Sequence, residues 1–172
     1  MAISFQHDIL PLKDKLYRLA LRITLNPAEA EDVVQETMMK VWNRRDRWDT
    51  IENIEIFCMT ICRNLALDKT RHLGNQTLSL DEIDSQPSTL NPTLSTLRSP
   101  EEQVIQQDRI RLVRQMINQL PEKQRSCMQL RDIEGKSYKD IATILDITEE
   151  QVKVNIFRAR QTIREQFKKA DR

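Results

Sequence analysis

Cysteine and histidine are the residues of this 172-residue chain that would suit metal binding or nucleophilic catalysis. Cys58 and Cys62 are four residues apart, so on a helix both thiols would lie on one face and could share a metal ion. No further Cys or His pair is placed to complete four ligands, because His7 and His72 stand alone in the sequence. There is also no Ser/His/Asp arrangement and no Gly-rich phosphate loop. We therefore expect structural thiols, no metal, no cofactor and no catalytic site.

A polar helix face near the C-terminus has residue types that suit DNA. In residues 149–169, apolar residues recur at helical spacing and predict one buried stripe: Val152, Ile156, Ala159 and Ile163. Amide and small side chains can reach base edges, whereas Arg and Lys meet phosphates. The candidates on the other face and its flanks are Gln151, Lys153, Val154, Asn155, Arg158 and Arg160. A shorter capped helix precedes this one after a tight turn, which favours a helix-turn-helix over an ordinary solvated face.

A second polar face lies on the helix that follows Asn26-Pro27. Its acidic, amide and apolar members share a side away from the Val34/Val41 stripe: Asp32, Gln35, Glu36 and Met39. Trp42 follows on the same helix. An acidic-amide face with apolar edges suits docking to helices of another protein. The alternative is a well-capped amphipathic helix.

A third set combines basic, amide and aromatic residues around the loop of residues 49–55. Its polar members, on the next helix, are Arg63, Asn64, Asp68 and Arg71, and Trp48 and Phe57 flank the loop. Aromatic and polar groups beside a loop could hold an unstacked base. Taken alone, the set is better explained by aromatic side chains in the core and solvated charges.

Three predicted helices in the first 72 residues and four more after residue 99 must position these sets. Only 2 glycines occur, which disfavours turn-rich β-folds, and straight-chain residues are plentiful. Residues 75–99 are rich in Ser, Thr, Asn and Pro and have no helical period. The sequence therefore predicts an all-α fold with two small helical domains, residues 1–74 and 100–172, joined by a flexible linker, residues 75–99.

The formal net charge of +1 conceals an uneven distribution. Residues 1–74 are balanced, residues 75–99 carry −2 and residues 100–172 carry +3. The basic excess falls in the predicted DNA-reading helix and is small, so we expect weak DNA binding by the free chain. No signal peptide or membrane-spanning run is visible, which favours a cytoplasmic location.

Five segments in order resemble bacterial RNA polymerase sigma factors of the extracytoplasmic-function (ECF) group. They are DVVQE with Trp42, ICRNLALD with Arg71, LPEKQR, GKSYKDIA and VKVNIFRAR. The resemblance spans about residues 5–168. It implies a three-helix region 2 domain, a four-helix region 4 domain and no catalytic chemistry.

The resemblance also implies partners for each set. Asp32, Gln35, Glu36, Met39 and Trp42 would dock on the clamp helices of core RNA polymerase, and region 4 would contact its flap. The loop of residues 49–56, including Asn53 and Ile54, would capture a flipped base of the −10 element with the third set nearby. The last helix would read the −35 element, and Asp81, Glu82 and Asp84 would thread toward the polymerase active site. An anti-sigma protein, often membrane-bound in this family, is a further expected partner, and no small-molecule substrate is expected.

Two other functions are considered. A helix-turn-helix regulator that binds DNA without polymerase explains the C-terminal half equally well, but it leaves the acidic face and the Arg63–Arg71 set unexplained. A helical enzyme or adaptor fits neither half better.

Overall fold

The structure of the chain, a computed structural model, describes residues 2–73 and 100–170, so the predicted linker and its acidic residues lie outside the described part. The described residues contain α-helices, a few short helical turns and no β-strand, which confirms the all-α prediction. The helices are α1 (Lys13–Thr24), α2 (Pro27–Asn43), α3 (Ile54–Leu73), α4 (Pro100–Asn118), α5 (Glu122–Met128), α6 (Tyr138–Leu145) and α7 (Glu149–Ala170).

Local caps set most helix starts. The Asn26 side chain accepts a hydrogen bond from the Glu29 N–H at 3.2 Å, directly before Pro27 at the first position of α2. The Ser137 hydroxyl accepts from the Asp140 N–H at 3.1 Å and starts α6. These bonds satisfy N–H groups that have no partner in the first helical turn, so the predicted starts are confirmed.

Two segments differ from what the sequence predicts. The spacing of Ile9, Leu12 and Leu16 predicts a helix from Ile9 onward. In the structure a π-helical turn (Phe5–Ile9) and a 3₁₀ turn (Leu10–Leu12) precede α1. Pro11 explains the break, because its ring and missing N–H interrupt a regular α-helix. The polar stretch from Asp46 to about Asn53 predicts a loop, but Arg45–Thr50 form a 3₁₀ helix.

The described parts of the N-terminal and C-terminal halves share one apolar core. Helices α1, α2 and α3 pack on one another, α5 packs on α1, and α6 packs on α3. Buried side chains of both halves belong to one continuous cluster that includes Leu16, Met59, Leu130, Ile141 and Val152. We call this packing of α5 and α6 on α1 and α3 the closed arrangement.

Polar contacts line the boundary between the halves. The Arg18 guanidinium donates to both carboxylate oxygens of Glu134, at 2.7 and 3.1 Å. The Arg22 guanidinium donates to the side chains of Asn118 and Gln129, at 2.9 and 3.0 Å. Because the Glu134 side chain is only 2% exposed, water reaches it little, and Arg18 supplies the opposite charge across this boundary.

Candidate nucleic-acid and partner-binding surfaces

The docking candidates of α2 form one exposed face. All five are exposed: Asp32, Gln35, Glu36, Met39 and Trp42. The opposite stripe of the helix is buried and consists of Ala30, Val33, Val34, Thr37 and Val41. Met39 and Trp42 are 64% and 46% exposed, so two large apolar side chains stand beside two carboxylates. This combination suits a protein partner with apolar and basic groups.

Neighbouring residues hold this face in place. The Lys69 ammonium on α3 lies 3.3 Å from Glu36 and 3.7 Å from Glu29. Burial lowers the pKa of Lys69, but the hydrogen bond with Glu36 and the nearby carboxylates outweigh it and leave the pKa above its usual value. Trp42 makes an edge-to-face contact with Phe5, and the Arg45 guanidinium lies 4.7 Å from the Trp42 ring centroid.

Trp48 does not have the position that a base-stacking residue needs. It is 7% exposed, and its indole N–H donates to the Val41 carbonyl at 3.0 Å. Its ring also packs edge-on against Trp42. Both the apolar ring and the polar N–H are satisfied inside the protein, so the expected contact with −10 DNA is corrected to a core role.

The start of α3 combines an exposed cap with a partly buried ionic cluster. The Asn53 side chain is exposed, accepts from the N–H groups of Glu55 and Ile56, and so caps the helix. The Glu55 carboxylate binds Lys15 at 3.1 Å and Lys136 at 2.5 Å, and Lys136 belongs to the other half. Burial raises the pKa of Glu55, but the hydrogen bonds and charges of the two lysines outweigh it, so the pKa lies below its usual value. Ile54 is half-buried beside this cluster.

The polar set on α3 is divided by the closed arrangement. Asn64, Asp68 and Arg71 are exposed, as a DNA-binding set requires. Arg63 is only 9% exposed and its Nη2 lies 4.0 Å from the Glu122 carboxylate of α5. The Nε of Arg63 has no hydrogen-bond partner within the described residues. In the closed arrangement α5 covers this side chain, so the DNA contact by Arg63 stays a prediction that requires the two halves to separate.

The predicted faces of α7 are confirmed by burial. Val152, Ile156 and Ala159 are buried, while Ile163 near the helix end is partly buried. The DNA candidates on the other side are exposed except Asn155, which is partly buried: Gln151, Lys153, Val154, Asn155, Arg158 and Arg160. The helix thus packs through one stripe and leaves its basic and amide side to solvent.

Several of these candidates already have partners within the chain. Gln151 and Thr148 form a capping box, with reciprocal bonds of 3.0 and 3.1 Å. The Asn155 amide donates to the Gln151 carbonyl at 2.7 Å. The Arg160 guanidinium binds Asp132, and the Lys153 ammonium lies 5.7 Å from the Tyr138 ring centroid.

Phe157 is an exposed residue of α7 that the sequence analysis did not single out. It is 68% exposed, the highest value among the exposed large apolar residues of the described part. It lies three positions after Val154, which is 45% exposed, so the two side chains are neighbours on the helix surface. The sequence signal was the position of Phe157 outside the buried stripe.

The three cysteines are core residues. Cys58, Cys62 and Cys127 are each fully buried and unbridged. Burial raises the pKa of each thiol to about 12, so thiolates are disfavoured at neutral pH. Within the described residues, no group of three or more His, Cys, Asp or Glu side chains is placed to hold a metal ion.

An open apolar cleft of about 630 Å³ lies between α4, the end of α7 and Arg22 of α1. Its apolar lining includes Ile105, Ile110, Ile117, Ile133 and Phe167. Arg22, Arg109 and Arg114 stand at the cleft against one carboxylate, Glu102, so its rim is basic. In the part of the chain that the structure describes, no helix is long and apolar enough to cross a membrane.

Comparison with known proteins identifies two matched regions in the chain. Residues 9–76 match the family described as Sigma-70 region 2, and residues 110–163 match Sigma-70, region 4. The chain is 31% identical over 162 residues to the RNA polymerase sigma-H factor of Pseudomonas aeruginosa, covering 93% of this chain and 84% of that protein. It is 32% identical over 150 residues to the ECF RNA polymerase sigma factor SigL of Mycobacterium tuberculosis, covering 87% and 80%.

Two solved structures have the same fold. The sigma factor RpoE of Bartonella quintana, in complex with the anti-sigma factor NepR, gives a TM-score of 0.70 at 24% identity and covers 95% of this chain and 96% of that chain. CnrH, in complex with the cytosolic domain of CnrY, gives a TM-score of 0.64 at 18% identity and covers 95% and 87%.

The two matched regions and the relatives place the chain in the sigma-70 class. The chain belongs to the ECF group of RNA polymerase sigma factors. Its function is promoter-specific transcription initiation with RNA polymerase.

Proposed function

We propose that the chain performs this function through three separate surfaces and has no catalytic chemistry of its own. The exposed face of α2 docks on the clamp helices of core polymerase. The start of α3, with Asn53, Ile54 and the exposed polar residues of α3, holds the melted −10 element. The polar face of α7 reads the −35 element in duplex DNA. The chain then acts in the cytoplasm, where the polymerase forms the phosphodiester bonds.

The observation that carries the proposal is the two-sided character of α7. Val152, Ile156 and Ala159 are fully buried, whereas Arg158, between two of them in sequence, is exposed. Such a helix is anchored by one side and can enter a major groove with the other. The basic side chains at its flanks would meet phosphates, while Val154 and the amides face base edges.

Melting requires the chain to offset the cost of unstacking a base, which is a few kcal/mol. With Trp48 in the core, the surface left for a flipped base is the region around Asn53 and Ile54. The basic excess of the chain is small, so its DNA contacts alone contribute little free energy. Docking on polymerase contributes the rest of the free energy that melting requires. DNA binding by the free chain is therefore expected to be weak.

Promoter binding further requires the closed arrangement to open. Arg63 is covered by Glu122, and Glu55 beside the proposed base site is bound to Lys136 of the other half. Separation of the halves would uncover Arg63 and free the start of α3. Arg63 then becomes available to −10 DNA in the separated form.

Co-purification with core polymerase followed by run-off transcription tests the proposal. We expect the chain to co-elute with core and to start transcripts at discrete promoters. A helix-turn-helix regulator would instead bind promoter DNA without binding core. A chain that binds DNA but neither binds core nor directs initiation would refute the proposal.

An anti-sigma protein is the regulatory partner that we propose, and the apolar cleft is the surface that fits it. Ile105 and Ile110 are 54% and 42% exposed and both line the cleft, which suits the apolar side of a partner helix. The arginines at the rim favour acidic residues on that helix. The substitution Ile110→Glu should weaken capture of the anti-sigma protein, membrane-bound or soluble, by at least about tenfold. Unchanged capture would remove the cleft from the proposal.

A further inference from the structure

Trp42, on the docking face of α2, is held by contacts from three other side chains. The ring of Phe5 meets it edge-to-face, with the centroids 5.5 Å apart and the planes at 80°. The ring of Trp48 packs against it at 6.1 Å and 66°, and the Arg45 guanidinium lies 4.7 Å from its centroid. Trp42 is nevertheless 46% exposed. The indole is therefore fixed by its own chain while a large part of it stays available to a partner.

Two of the three supports are anchored close to Trp42 in sequence. Trp48 is held in the core because its indole N–H donates to the Val41 carbonyl at 3.0 Å. Arg45 donates to the backbone carbonyl of Trp42 at 3.2 Å, which keeps the guanidinium beside the ring. These two contacts belong to the end of α2 and the 3₁₀ helix that follows it.

The third support, Phe5, comes from a separate segment. It begins the π-helical turn Phe5–Ile9, which packs against α3. The Ser4 hydroxyl accepts from the His7 N–H at 3.4 Å, and the Ser4 N–H donates to the Asp8 carboxylate at 2.7 Å. These local bonds fix the turn, so the Phe5 ring reaches the docking face from a rigid base.

We propose that Phe5 is a positioning residue, which holds Trp42 in the orientation that docks on core polymerase. The inference rests on the proposed function, in which the exposed face of α2 binds core. A side chain that is free to rotate loses rotamer entropy when an interface immobilises it. Because Trp42 is already immobilised in the free chain, docking avoids this loss and the affinity for core is higher.

A double-mutant cycle tests whether Phe5 acts through Trp42. The full chain and its variants compete with the labelled parent chain for core polymerase. Phe5→Leu keeps an apolar side chain but has no ring edge, so it should weaken binding about threefold to tenfold. It should have no further effect in a chain that also carries Trp42→Ala, because a positioning residue acts only through the side chain that it holds.

Two further variants make the cycle specific. Phe5→Tyr keeps the ring edge and should bind core like the parent chain. Leu10→Ala shortens an apolar side chain of the same N-terminal segment, 46% exposed, and should leave the affinity unchanged.

Fluorine NMR of the free chain gives a readout that does not depend on polymerase. The chain has two tryptophans, so incorporation of 5-fluorotryptophan gives two resonances, and the Trp42→Ala variant assigns them. In Phe5→Leu the Trp42 resonance should shift and the Trp48 resonance should stay in place. A general loss of packing would instead move both.

The outcomes separate the inference from the proposed function. Equal weakening by Phe5→Leu with and without Trp42 would overturn the inference, since Phe5 would then act independently of Trp42. An unchanged Trp42 resonance, or a shift of both resonances, would overturn it too. Weaker binding by Trp42→Ala without any effect of Phe5→Leu would overturn the inference alone. Full affinity in Trp42→Ala would contradict the docking face in the proposed function as well.

Discussion

The Arg18–Glu134 ion pair offers the sharpest test of the closed arrangement. Arg18→Met removes the guanidinium but keeps an apolar stem of similar length. Among the residues that the structure describes, the Glu134 carboxylate, 2% exposed, then keeps the Gln129 amide at 3.4 Å as its side-chain partner. Removing one partner of a buried pair costs about 3 kcal/mol, which corresponds to about 150-fold in an equilibrium. Because separation of the halves returns Glu134 to water, this cost should favour the open form.

The assay is energy transfer between dyes on the two halves. Cysteines introduced at Lys40 and Glu165, both exposed, would carry the dyes on α2 and α7. The native thiols are fully buried, and their pKa of about 12 keeps them unreactive at neutral pH. Transfer should be high in the parent chain and should fall in Arg18→Met, while circular dichroism shows that the helices persist.

A double variant tests whether the cost of Arg18→Met comes from the unpaired Glu134 carboxylate. Arg18→Met with Glu134→Met removes both charges together, so no buried carboxylate is left without a cation. Replacement of a buried ion pair by apolar residues is often close to neutral for stability. The free energy of opening should therefore return to within about 1 kcal/mol of the parent value, and dye transfer should rise again. Unchanged transfer in Arg18→Met would refute the account, as would a double variant that is as open as the single one.

Three further predictions concern docking, DNA reading and pH. Asp32→Arg with Glu36→Arg should lower core-polymerase affinity at least about tenfold, measured by co-sedimentation, because the reversed charges face the same partner. Arg158→Ala should lower the holoenzyme affinity for promoter about tenfold in a gel-shift titration and leave core binding unchanged. The carboxylate of Glu55 has a lowered pKa, so its contribution to closure is present above the usual value of 4.5 and is lost as the pH falls through the lowered pKa. Dye transfer should therefore drop in acid, and Glu55→Gln should lack this step.

Each of these predictions has a matched control. Asp14→Arg with Asp49→Arg makes the same charge change at two exposed carboxylates outside α2 and should leave core affinity intact. Lys168→Ala removes an exposed positive charge near the end of α7 and should affect promoter binding less than Arg158→Ala. Glu52→Gln alters an exposed carboxylate near α3 and should keep the acid step. Equal effects of test and control variants would contradict the assigned surfaces.

The helix starts could be predicted because their determinants are local. The bonds that start α2, α6 and α7 join residues three apart, such as Asn26 with Glu29 and Thr148 with Gln151. Such pairs are visible in the sequence without knowledge of the fold. The exposed faces of α2 and α7 were predictable for a related reason, because helical periodicity separates the buried from the exposed positions.

The closed arrangement could not be predicted in this way. Arg18 and Glu134 are 116 residues apart, and each looks in sequence like a solvated charge. Their pairing depends on how α1 packs against the C-terminal half, and no local pattern specifies that packing. The same contact explains why Arg63, a reasonable DNA candidate by type, is covered by Glu122.

Trp48 and Phe157 show why the role of a single side chain could not be predicted from the sequence. An aromatic residue serves a core or a binding surface equally well by type. Only the structure shows that Trp48 donates its indole N–H to Val41 inside the protein, whereas Phe157 is left 68% exposed. Residue type limits the chemistry that is possible at these positions, but burial decides whether the side chain serves the core or a surface.

Transcription from a pooled promoter library by core polymerase, with and without this chain, tests the proposed function directly. We expect the chain to make core start transcripts at one class of promoter with shared −35 and −10 sequences. We also expect the Asp32→Arg and Glu36→Arg double variant to abolish this enrichment. Transcripts that match those of core alone, from a chain that is folded and present in excess, would contradict the account.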